Sequence, residues 1–414
     1  MRGPIALATL RTSAVLGLRL AVQAGNLLLL ARLLGPQQFG AFAGVAALAV
    51  LLGTLSTFGT HLVLLGEMSK DPARRAQVLP YALPTTLLCG GMLLTVYMLL
   101  CMFWLSLKGI PALLFLLIGT SEILLQPLLI FGVNELHASG HIARSQWLQM
   151  LPMILRLVML CILSIWQPAQ VLALYAWGYA LASAIALTYD ILHLAQPLPS
   201  IRGWRLPRSA ELRHALGYAA IGISKAGPAE LDKTLALRLL PHDAAGVYAA
   251  GARVVGAIAL PVTAMTLSAL PRLFREGHRR EGTHLLAWMY GAATTYGATL
   301  AVLVWLAAPV FSSLFGAQYI GIGDVIRVLC IAIPAIALRL VAGNALMAMG
   351  TPWMRVVFEA IGLLVLTVAS FLLTHKADIQ AIPLALVCAE WAMAIFGAAL
   401  VMRVRSQNQR IGQT

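Results

Sequence analysis

The chain has 414 residues, of which 60% are hydrophobic and only 11% are charged, and its mean hydropathy is +0.86. A soluble protein of this size needs about a quarter of its residues charged, so this composition excludes a soluble globular domain and indicates an integral membrane protein. The formal net charge of +14 brings nucleic-acid-binding proteins to mind, but the positions of the basic residues argue against that class.

Twelve segments are apolar over about 20 residues or more, the length that a helix needs to cross a bilayer. They are too long for strands and show no alternation of apolar and polar residues. The first segment lacks a small-residue cleavage site and continues into a full span, so we do not expect a cleaved signal peptide. The predicted spans are 12–34, 40–65, 79–107, 110–136, 147–167, 170–194, 212–240, 246–271, 283–313, 323–348, 353–375 and 380–403.

The basic residues orient these spans, because loops on the cytoplasmic side are enriched in Lys and Arg. With a cytoplasmic N-terminus, the outer connections hold only four basic residues: Arg32, Lys108, Arg238 and Lys376. The inner side holds eighteen: Arg2, Arg11, Lys70, Arg74, Arg75, Arg144, Arg202, Arg205, Arg208, Arg213, Arg272, Arg275, Arg279, Arg280, Arg355, Arg403, Arg405 and Arg410. We therefore expect both termini in the cytoplasm, and the charge needs no nucleic-acid partner.

Two short sequences recur at nearly the same spacing. Residues 27–50 read LLLLARLLGPQQFGAFAGVAALAV and residues 237–252 read LRLLPHDAAGVYAAGA, and an offset of 206 places Gly40 on Gly246 and Phe42 on Tyr248. The pattern N-x-L-x-A-x-G occurs at 134–140 and again at 344–350, an offset of 210. These matches indicate duplication of a six-helix unit, and an even number of helices makes both copies enter the membrane in the same direction.

The predicted fold is therefore an all-α integral membrane protein with twelve transmembrane helices in two six-helix lobes, related by a pseudo-twofold axis along the membrane normal. The N-terminal lobe is expected at 1–194, a cytoplasmic linker at 195–211 and the C-terminal lobe at 212–414.

Charged residues inside the predicted helices are the candidate functional residues, since a charge at mid-bilayer costs about 2.5–3.5 kcal/mol even on lenient scales. The 206 offset places Arg19 on Lys225 and Asn26 on Asp232, so each half carries a cation at the same point of its first helix. The predicted substrate-binding cations are Arg19, Lys225, Lys233, Arg253 and Arg156. The candidate ion-coupling acids are Glu122, Asp232, Glu359 and Glu390.

The alternative for these residues is internal pairing. Lys225 and Asp232 are seven residues apart, Glu230 and Lys233 are three apart, and Arg156 has Glu122 on the preceding helix. Pairs at such spacings compensate each other's charge without any ligand.

Catalytic and metal-binding patterns are missing from the sequence. There is no Walker A loop, G-x-S-x-G or H-E-x-x-H motif, and no cluster of His and Cys at ligand spacing. The five cysteines lie in apolar segments and are interpreted as core residues. We expect no enzymatic activity, no cofactor and no metal, although an integral-membrane glycosyltransferase or polymerase and an assembly scaffold remain alternatives.

Three runs carry a resemblance to a known family: ARLLGPQQFGAFAGVAALA, LSTFGTHLVLLGEMSK and ELDKTLALRLLPHDAAGVYAAGARVVGAIALPVTAMTLSALPRLFRE. They resemble polysaccharide biosynthesis flippases of the Wzx type, within the multidrug/oligosaccharidyl-lipid/polysaccharide exporter (MOP) superfamily. The matching features include Asp232-Lys233 and the LPRL run at 270–273. Pro241-His242-Asp243 departs from the Gly-Pro-acid that the family usually has there.

The resemblance implies two lobes around a central cavity that alternates between inward-open and outward-open states in a bacterial inner membrane. The implied substrate is an undecaprenyl-pyrophosphate-linked oligosaccharide, such as a lipopolysaccharide O-antigen or exopolysaccharide unit. H+ or Na+ is the expected coupling ion, and a polymerase and chain-length protein of the same pathway are possible partners. A multidrug exporter of the same superfamily is the nearest alternative, whereas a lipid II flippase would be expected to carry two further helices.

The predicted topology is tested by cysteine accessibility at 36–38 and 242–243, the two repeated corners. Because both corners are expected on the outer side, cysteines introduced there should react with an impermeant thiol reagent added to intact cells. Labelling only from the cytoplasmic side would contradict the topology.

Overall fold

The computed structural model describes residues 4–105, 110–194, 196–258, 261–262 and 280–411, without the side chains of 4–16, Lys225, 280–283, 375–378 and 408–411. The described chain is helical throughout and contains no strand. Its α-helices are α1 Pro4–Ser56, α2 Thr60–Lys70, α3 Arg75–Leu99, α4 Ala112–Gly119, α5 Gln126–Ala138, α6 Ile142–Trp166, α7 Val171–Leu192, α8 Ser209–Leu239, α9 His242–Ile258, α10 Arg280–Phe315, α11 Ile322–Cys330, α12 Ala332–Ala348, α13 Pro352–Ala377 and α14 Ala381–Ile411.

Several of these helices belong to one longer segment. Wide π-helical turns at Leu100–Trp104 and Thr120–Leu125 extend α3 and join α4 to α5. Within the described residues, eight helices are long and apolar enough to cross a membrane, or nine with α11 and α12 taken as one span bent by 43°. With α1 divided at its corner and α8 and α9 included, the described helices form the twelve segments of the predicted all-α membrane fold.

Contacts divide the chain into two compact units. Unit 1 comprises Met1–Leu34 and Ala41–Ala226, and unit 2 comprises Gly35–Gly40 and Gly227–Thr414. The division falls inside α8, and the short segment at the first corner belongs with the second unit. The predicted lobes at 1–194 and 212–414, and the linker between them, stay predictions.

The repeated N-x-L-x-A-x-G pattern is a helix C-terminus. In the first copy the amide of His141 donates to the carbonyl of Leu136 (2.9 Å), and the amide of Gly140 donates to that of His137 (3.0 Å). Gly140 has a φ of 79°, which glycine adopts without steric cost. These bonds form a Schellman motif, which satisfies the last carbonyls of a helix.

The second copy forms the same motif 210 residues later. The amide of Thr351 donates to the carbonyl of Leu346 (3.0 Å), and the amide of Gly350 donates to that of Met347 (3.1 Å). The φ of Gly350 is 74°. In both copies the carbonyl of the Leu in the pattern accepts the bond from the residue after the Gly, and the Gly is the residue with positive φ. The sequence repeat is therefore a repeat of local structure.

The repeated corner brings its two copies into contact within unit 2. Gly35, with a φ of 66°, turns the chain inside α1, and Pro241 separates α8 from α9. A Cβ added to Gly40 would clash with the carbonyl oxygen of His242, and one added to Gly246 would clash with that of Pro36. Gly40 matches Gly246 and Pro36 matches His242 at the 206 offset, so the contact is reciprocal, like that of a symmetric dimer.

Two predicted spans are interrupted. The span predicted at 40–65 ends at Ser56 and resumes at Thr60, because Phe58 and Gly59 adopt positive φ values of 48° and 77°. The span predicted at 323–348 breaks at Ile331, where Pro334 at the third position of α12 lacks an N–H and crowds the carbonyl four residues earlier. Span boundaries were wrong at these two points, although the segments themselves are present.

Hydrogen bonds and an ion pair anchor the segment between α7 and α8 to unit 1. The guanidinium of Arg75 donates to the carbonyl oxygens of Gln196 and Pro197, both at 3.1 Å, and its Nε lies 2.9 Å from a carboxylate oxygen of Glu135. Arg205 places its guanidinium over the ring of Tyr81, 4.9 Å from the centroid. This segment is therefore held against the start of α3 and the end of α5.

The corner contact predicts the effect of Gly40→Ala. Because the added methyl group would meet backbone atoms of His242 and Gly246, which cannot rotate away, the variant should lose about 1–3 kcal/mol of stability. We expect a lower melting temperature of the purified protein in detergent.

Gly91→Ala is the matched control, since nothing lies within 4 Å of the added atom in α3. It should keep or raise the melting temperature, because Ala favours helix over Gly by about 1 kcal/mol. Equal melting temperatures for the two variants would contradict the close approach at Gly40.

Candidate functional site

A buried polar cluster lies in unit 1 around Glu122. Nη2 of Arg156 donates to Oε1 of Glu122 (3.2 Å) and to the hydroxyl of Ser183 (2.8 Å), and the hydroxyl of Tyr179 donates to the same Glu122 oxygen (2.5 Å). The guanidinium carbon of Arg156 lies 3.3 Å from the centroid of the Tyr179 ring. The pairing of Arg156 with Glu122 that the sequence left open is present. It compensates both charges, as intramembrane charges require.

The position of Glu122 depends on local helix geometry. Glu122 lies in the π-helical turn Thr120–Leu125, a widened turn that often occurs at functional sites. A Cβ on Gly53 would clash with the carbonyl oxygen of Glu122, so this part of α1 approaches the turn closely. Aromatic rings cover the cluster, with Phe42 contacting Tyr175 and Tyr179 at centroid distances of 5.4 and 5.8 Å.

Arg19 lies in α1 and is held differently. Its Nη1 donates to the side-chain oxygens of Gln149 (2.8 Å) and Gln146 (3.2 Å), both on α6. Among the described residues, no carboxylate lies within ion-pair distance of Arg19. Its charge is therefore stabilised by amide dipoles but not neutralised.

In unit 2, Asp232 and Lys233 form a second buried cluster. Nζ of Lys233 lies 3.1 Å from Oδ1 of Asp232 and 3.8 Å from a carboxylate oxygen of Glu230, and it also donates to the carbonyl of Ala229. The hydroxyl of Tyr248 donates to Oδ2 of Asp232 (2.6 Å). The Glu230–Lys233 pairing considered from the sequence is therefore present, with Asp232 as the nearer partner.

The repeat diverges at this cluster. Tyr248 and Asp232 correspond to Phe42 and Asn26 at the 206 offset, so both members of the hydrogen bond are replaced together in the first copy. The side-chain amide of Asn26 instead donates to the carbonyl oxygens of Val22 (2.9 Å) and Met153 (3.0 Å). Sequence reasoning did not identify Tyr248 as a site residue, although the Phe42 alignment contained the signal.

A third cluster in unit 2 joins two arginines to two glutamates. Nε of Arg339 lies 2.7 Å from Oε2 of Glu390, and Nη1 of Arg339 lies 3.7 Å from Oε1 of Glu359. Nε of Arg355 lies 3.1 Å from that Glu359 oxygen. All four residues are at least 90% buried, so the cluster has two positive and two negative groups in an apolar environment. Oε2 of Glu359 has no hydrogen-bond partner among the described residues.

The remaining candidate cations have other surroundings. Arg253 places its guanidinium 5.8 Å from the centroid of the Phe39 ring and, within the described part of the chain, has no carboxylate in ion-pair distance. The side chain of Lys225 and the LPRL run at 270–273 lie outside the described residues. Of the four candidate cations described, Arg156 and Lys233 are in ion pairs, and Arg19 and Arg253 are not.

This arrangement suits an anion better than a cation. All four candidate acids accept from a basic side chain or a tyrosine hydroxyl, whereas Arg19 and Arg253 retain uncompensated charge. No group of three or more His, Cys, Asp or Glu side chains that could hold a metal occurs among the described residues. Around the candidate site residues, the charge left without an oppositely charged partner is therefore positive.

Two carboxylates outside the spans are held ionised by neighbouring cations. Hydrogen bonds from Lys70 and Arg74 lower the pKa of Glu67 to about 2. Hydrogen bonds from Arg205 lower the pKa of Glu211. Both groups therefore stay negative at neutral pH and fix the positions of basic residues on the predicted cytoplasmic side.

Comparison with known proteins establishes the fold. No known family model matches the sequence, and no curated protein does. The structure is similar to the lipid II flippase MurJ in an inward closed conformation (TM-score 0.74, 11% identity, 96% of this chain and 89% of that one). It is also similar to an inward-facing multidrug resistance MATE transporter of the MOP superfamily (TM-score 0.70, 14% identity, 95% of each chain). A MOP superfamily transporter from Pyrococcus furiosus is similar as well (TM-score 0.63, 15% identity, 96% of this chain and 94% of that one).

These three structures are transporters or flippases, and each is matched over nearly its whole length. At such low identities the likeness concerns the fold alone. The chain is thus a multi-pass membrane protein with the fold of MOP superfamily transporters.

The third cluster predicts the consequence of removing Arg339. Arg339→Gln would leave Glu390 without its basic partner, and breaking a buried pair from one side typically costs about 3–5 kcal/mol. We expect a large fall in melting temperature, and Arg339→Met combined with Glu390→Met should recover part of it, because the uncompensated carboxylate is then removed.

Arg327→Gln is the control. Arg327 pairs with Asp324 at 3.0 Å, but both side chains are largely exposed (42% and 66%), so the loss should stay below about 1 kcal/mol. A similar loss for both arginines would contradict the structural role of Arg339.

Proposed function

We propose that the protein is a flippase that moves an undecaprenyl-pyrophosphate-linked oligosaccharide from the inner to the outer leaflet of a bacterial inner membrane by alternating access. The observation that carries this proposal is the environment of Arg19. It is a cation inside the first helix, held by Gln146 and Gln149 and neutralised by no described carboxylate. A pyrophosphate supplies the missing negative charge and accepts charge-assisted hydrogen bonds from a guanidinium.

The depth of Arg19 suits an early contact with the substrate. α1 is helical from Pro4 to its corner at Gly35, and Arg19 lies fifteen residues before Leu34. At 1.5 Å per residue this is about 22 Å along the helix, which puts Arg19 in the inner half of the bilayer if the corner is external. A headgroup that enters from the cytoplasm meets Arg19 before it reaches the middle of the membrane.

Arg253 is the second proposed substrate-binding cation. Lys225 is proposed as a third, because it matches Arg19 at the 206 offset. Arg156 and Lys233 already have acidic partners, so their proposed role is to exchange those partners for phosphate oxygens during transport. Oligosaccharide units of O-antigen or exopolysaccharide type are the proposed cargo, delivered to a polymerase and chain-length protein.

H+ or Na+ is the proposed coupling ion. Among the acids Glu122, Asp232, Glu359 and Glu390, Glu359 is favoured as its carrier, because its Oε2 is buried without a hydrogen-bond partner in the described structure. Glu359 pairs with Arg355 and Arg339 through Oε1, so its Oε2 could take up the ion while those pairs stay in place.

A multidrug exporter is the second candidate, favoured by the similarity to a multidrug resistance MATE transporter. An exporter of cationic drugs needs carboxylates free to bind them. The four candidate acids Glu122, Asp232, Glu359 and Glu390 are compensated by Arg, Lys or Tyr, so the charge balance around them favours the anionic lipid-linked substrate.

Deletion of the gene tests the proposal. The deletion strain should accumulate the lipid-linked oligosaccharide on the inner leaflet and lose its surface polymer, while glycosyl transfer in membrane extracts stays unchanged. Complementation with Arg19→Gln should lower polymer output per molecule of folded protein by at least about tenfold, as expected from the loss of one charge-assisted contact, and Arg19→Lys should keep part of the output.

Arg327→Gln in the same strain is the matched control and should give normal output, because Arg327 is exposed and paired with Asp324. Normal output per folded molecule for Arg19→Gln would overturn the role of Arg19. Loss of the transferase step in the deletion strain would overturn the flippase itself in favour of an enzyme.

A further inference from the structure

A cavity separate from the charged clusters lies in unit 1, between α3, α5, α7 and the segment that follows α7. It has a volume of about 170 Å³ and nearly all of its wall is apolar. The walls include Leu83, Leu87, Leu128, Leu187, Ile191 and Leu198. Because the cavity lies at the start of α3 and the ends of α5 and α7, it opens near the predicted cytoplasmic side of the membrane.

Two carboxylates line this apolar cavity. Glu135 is neutralised by Arg75, whose Nε lies 2.9 Å away. Asp190 is 92% buried, and among the described residues nothing donates a hydrogen bond to its carboxylate or pairs with it. An ionised carboxylate buried without a partner is costly, and a positively charged ligand in the cavity would stabilise it.

The approach of Asp190 depends on Gly132. A Cβ at position 132 would clash with both carboxylate oxygens of Asp190, so only glycine leaves room for the carboxylate against α5. Gly132 also lines the cavity. The sequence therefore supplies a space on α5 for a carboxylate on α7.

One residue of the cavity wall also has an unused hydrogen-bond donor. Trp204 lines it, and the indole Nε1 of Trp204 is buried without a partner in the described structure. An indole N–H can only donate, so a ligand that satisfies it must present an acceptor oxygen. A ligand that satisfies both Asp190 and Trp204 must carry a positively charged group and an acceptor oxygen a few bonds apart.

We propose that this cavity binds the aminoethyl phosphate group of a phospholipid, with the primary ammonium on Asp190 and an ester or phosphate oxygen accepting from Nε1 of Trp204. The volume suits such a group, because a water molecule occupies about 30 Å³ in the liquid and the cavity of about 170 Å³ equals nearly six such volumes. The apolar walls favour the lipid over the soluble phosphoethanolamine, since only the lipid carries hydrocarbon. Leu88 and Leu192 follow the wall residues Leu87 and Ile191 in the chain, and their exposed side chains offer an apolar surface for the lipid chains.

The site is independent of the proposed transport substrate. Its ligand is zwitterionic and lies among α3, α5, α7 and the segment held by Arg75, so its binding would stabilise the attachment of that segment to unit 1. Loss of the site should therefore change stability and lipid retention in the absence of any oligosaccharide.

The test uses the full chain, purified and reconstituted in nanodiscs of phosphatidylglycerol that contain either phosphatidylethanolamine or phosphatidylcholine. Phosphatidylcholine has the same charges, but its quaternary ammonium has no N–H to donate. Native mass spectrometry should show retention of phosphatidylethanolamine by the wild type at least about tenfold above phosphatidylcholine, and a higher melting temperature with it. Equal retention of the two lipids would overturn the proposal.

Two variants remove the two polar contacts separately. Asp190→Asn should lower phosphatidylethanolamine retention at least about tenfold, and Trp204→Phe, which keeps the ring and removes the N–H, should lower it about two- to tenfold. Asp324→Asn and Trp353→Phe are the controls, because both side chains are exposed elsewhere and should leave retention unchanged. If Asp190→Asn does not fold, the Trp204→Phe result still decides, and unchanged retention in it overturns the assigned geometry.

Soluble phosphoethanolamine separates the two possible sources of the group. If it displaces the lipid only weakly, the lipid is the ligand, as proposed. If it displaces the lipid at equal concentration, the apolar walls contribute nothing and the assignment to a lipid is overturned.

Discussion

Compensation of charge in an apolar solvent is the constraint on which the rest of this structure depends. Hydrocarbon cannot solvate an arginine or a glutamate, so each one inside the spans must find a partner within the protein. Three groups meet that requirement: Glu122 with Arg156, Asp232 with Lys233, and Arg339 with Glu359 and Glu390. Among the described side chains, Arg19, Arg253 and Asp190 do not meet it, and these are the places where we propose that a ligand completes the balance.

The same constraint explains why the two copies of the repeat differ in their buried polar residues. The second copy keeps Asp232 and gives it the hydroxyl of Tyr248, whereas the first has Asn26 and Phe42 at the matching positions. The second copy has both the carboxylate and its donor and the first copy has neither, because either alone would be an unsatisfied buried polar group. Unit 1 instead builds its ion pair from α6 and the widened turn that carries Glu122.

Much of the fold could be predicted from the sequence, because membrane helices are recognisable by their length and apolar composition. The offsets of 206 and 210 located the corner glycines and the two helix ends at Gly140 and Gly350. The partners of Arg19 could not be predicted, since Gln146 and Gln149 lie more than 120 residues away and neutral amides give no charge signal. The bridge of Arg339 between Glu359 and Glu390 could not be predicted either, because it depends on how α12, α13 and α14 pack. The helix break at Phe58 and Gly59 could not be predicted, because the apolar run continues through it.

The reciprocal contact of Gly40 with Gly246 has a consequence for which residues the two corners can accept. A surface that meets its own copy through the same residues is what an interface in a homodimer looks like. Any side chain larger than that of glycine, at either position, would meet the backbone of the other corner. The two positions are therefore restricted by the same geometry, whereas the helices on either side of the corners carry different buried polar groups.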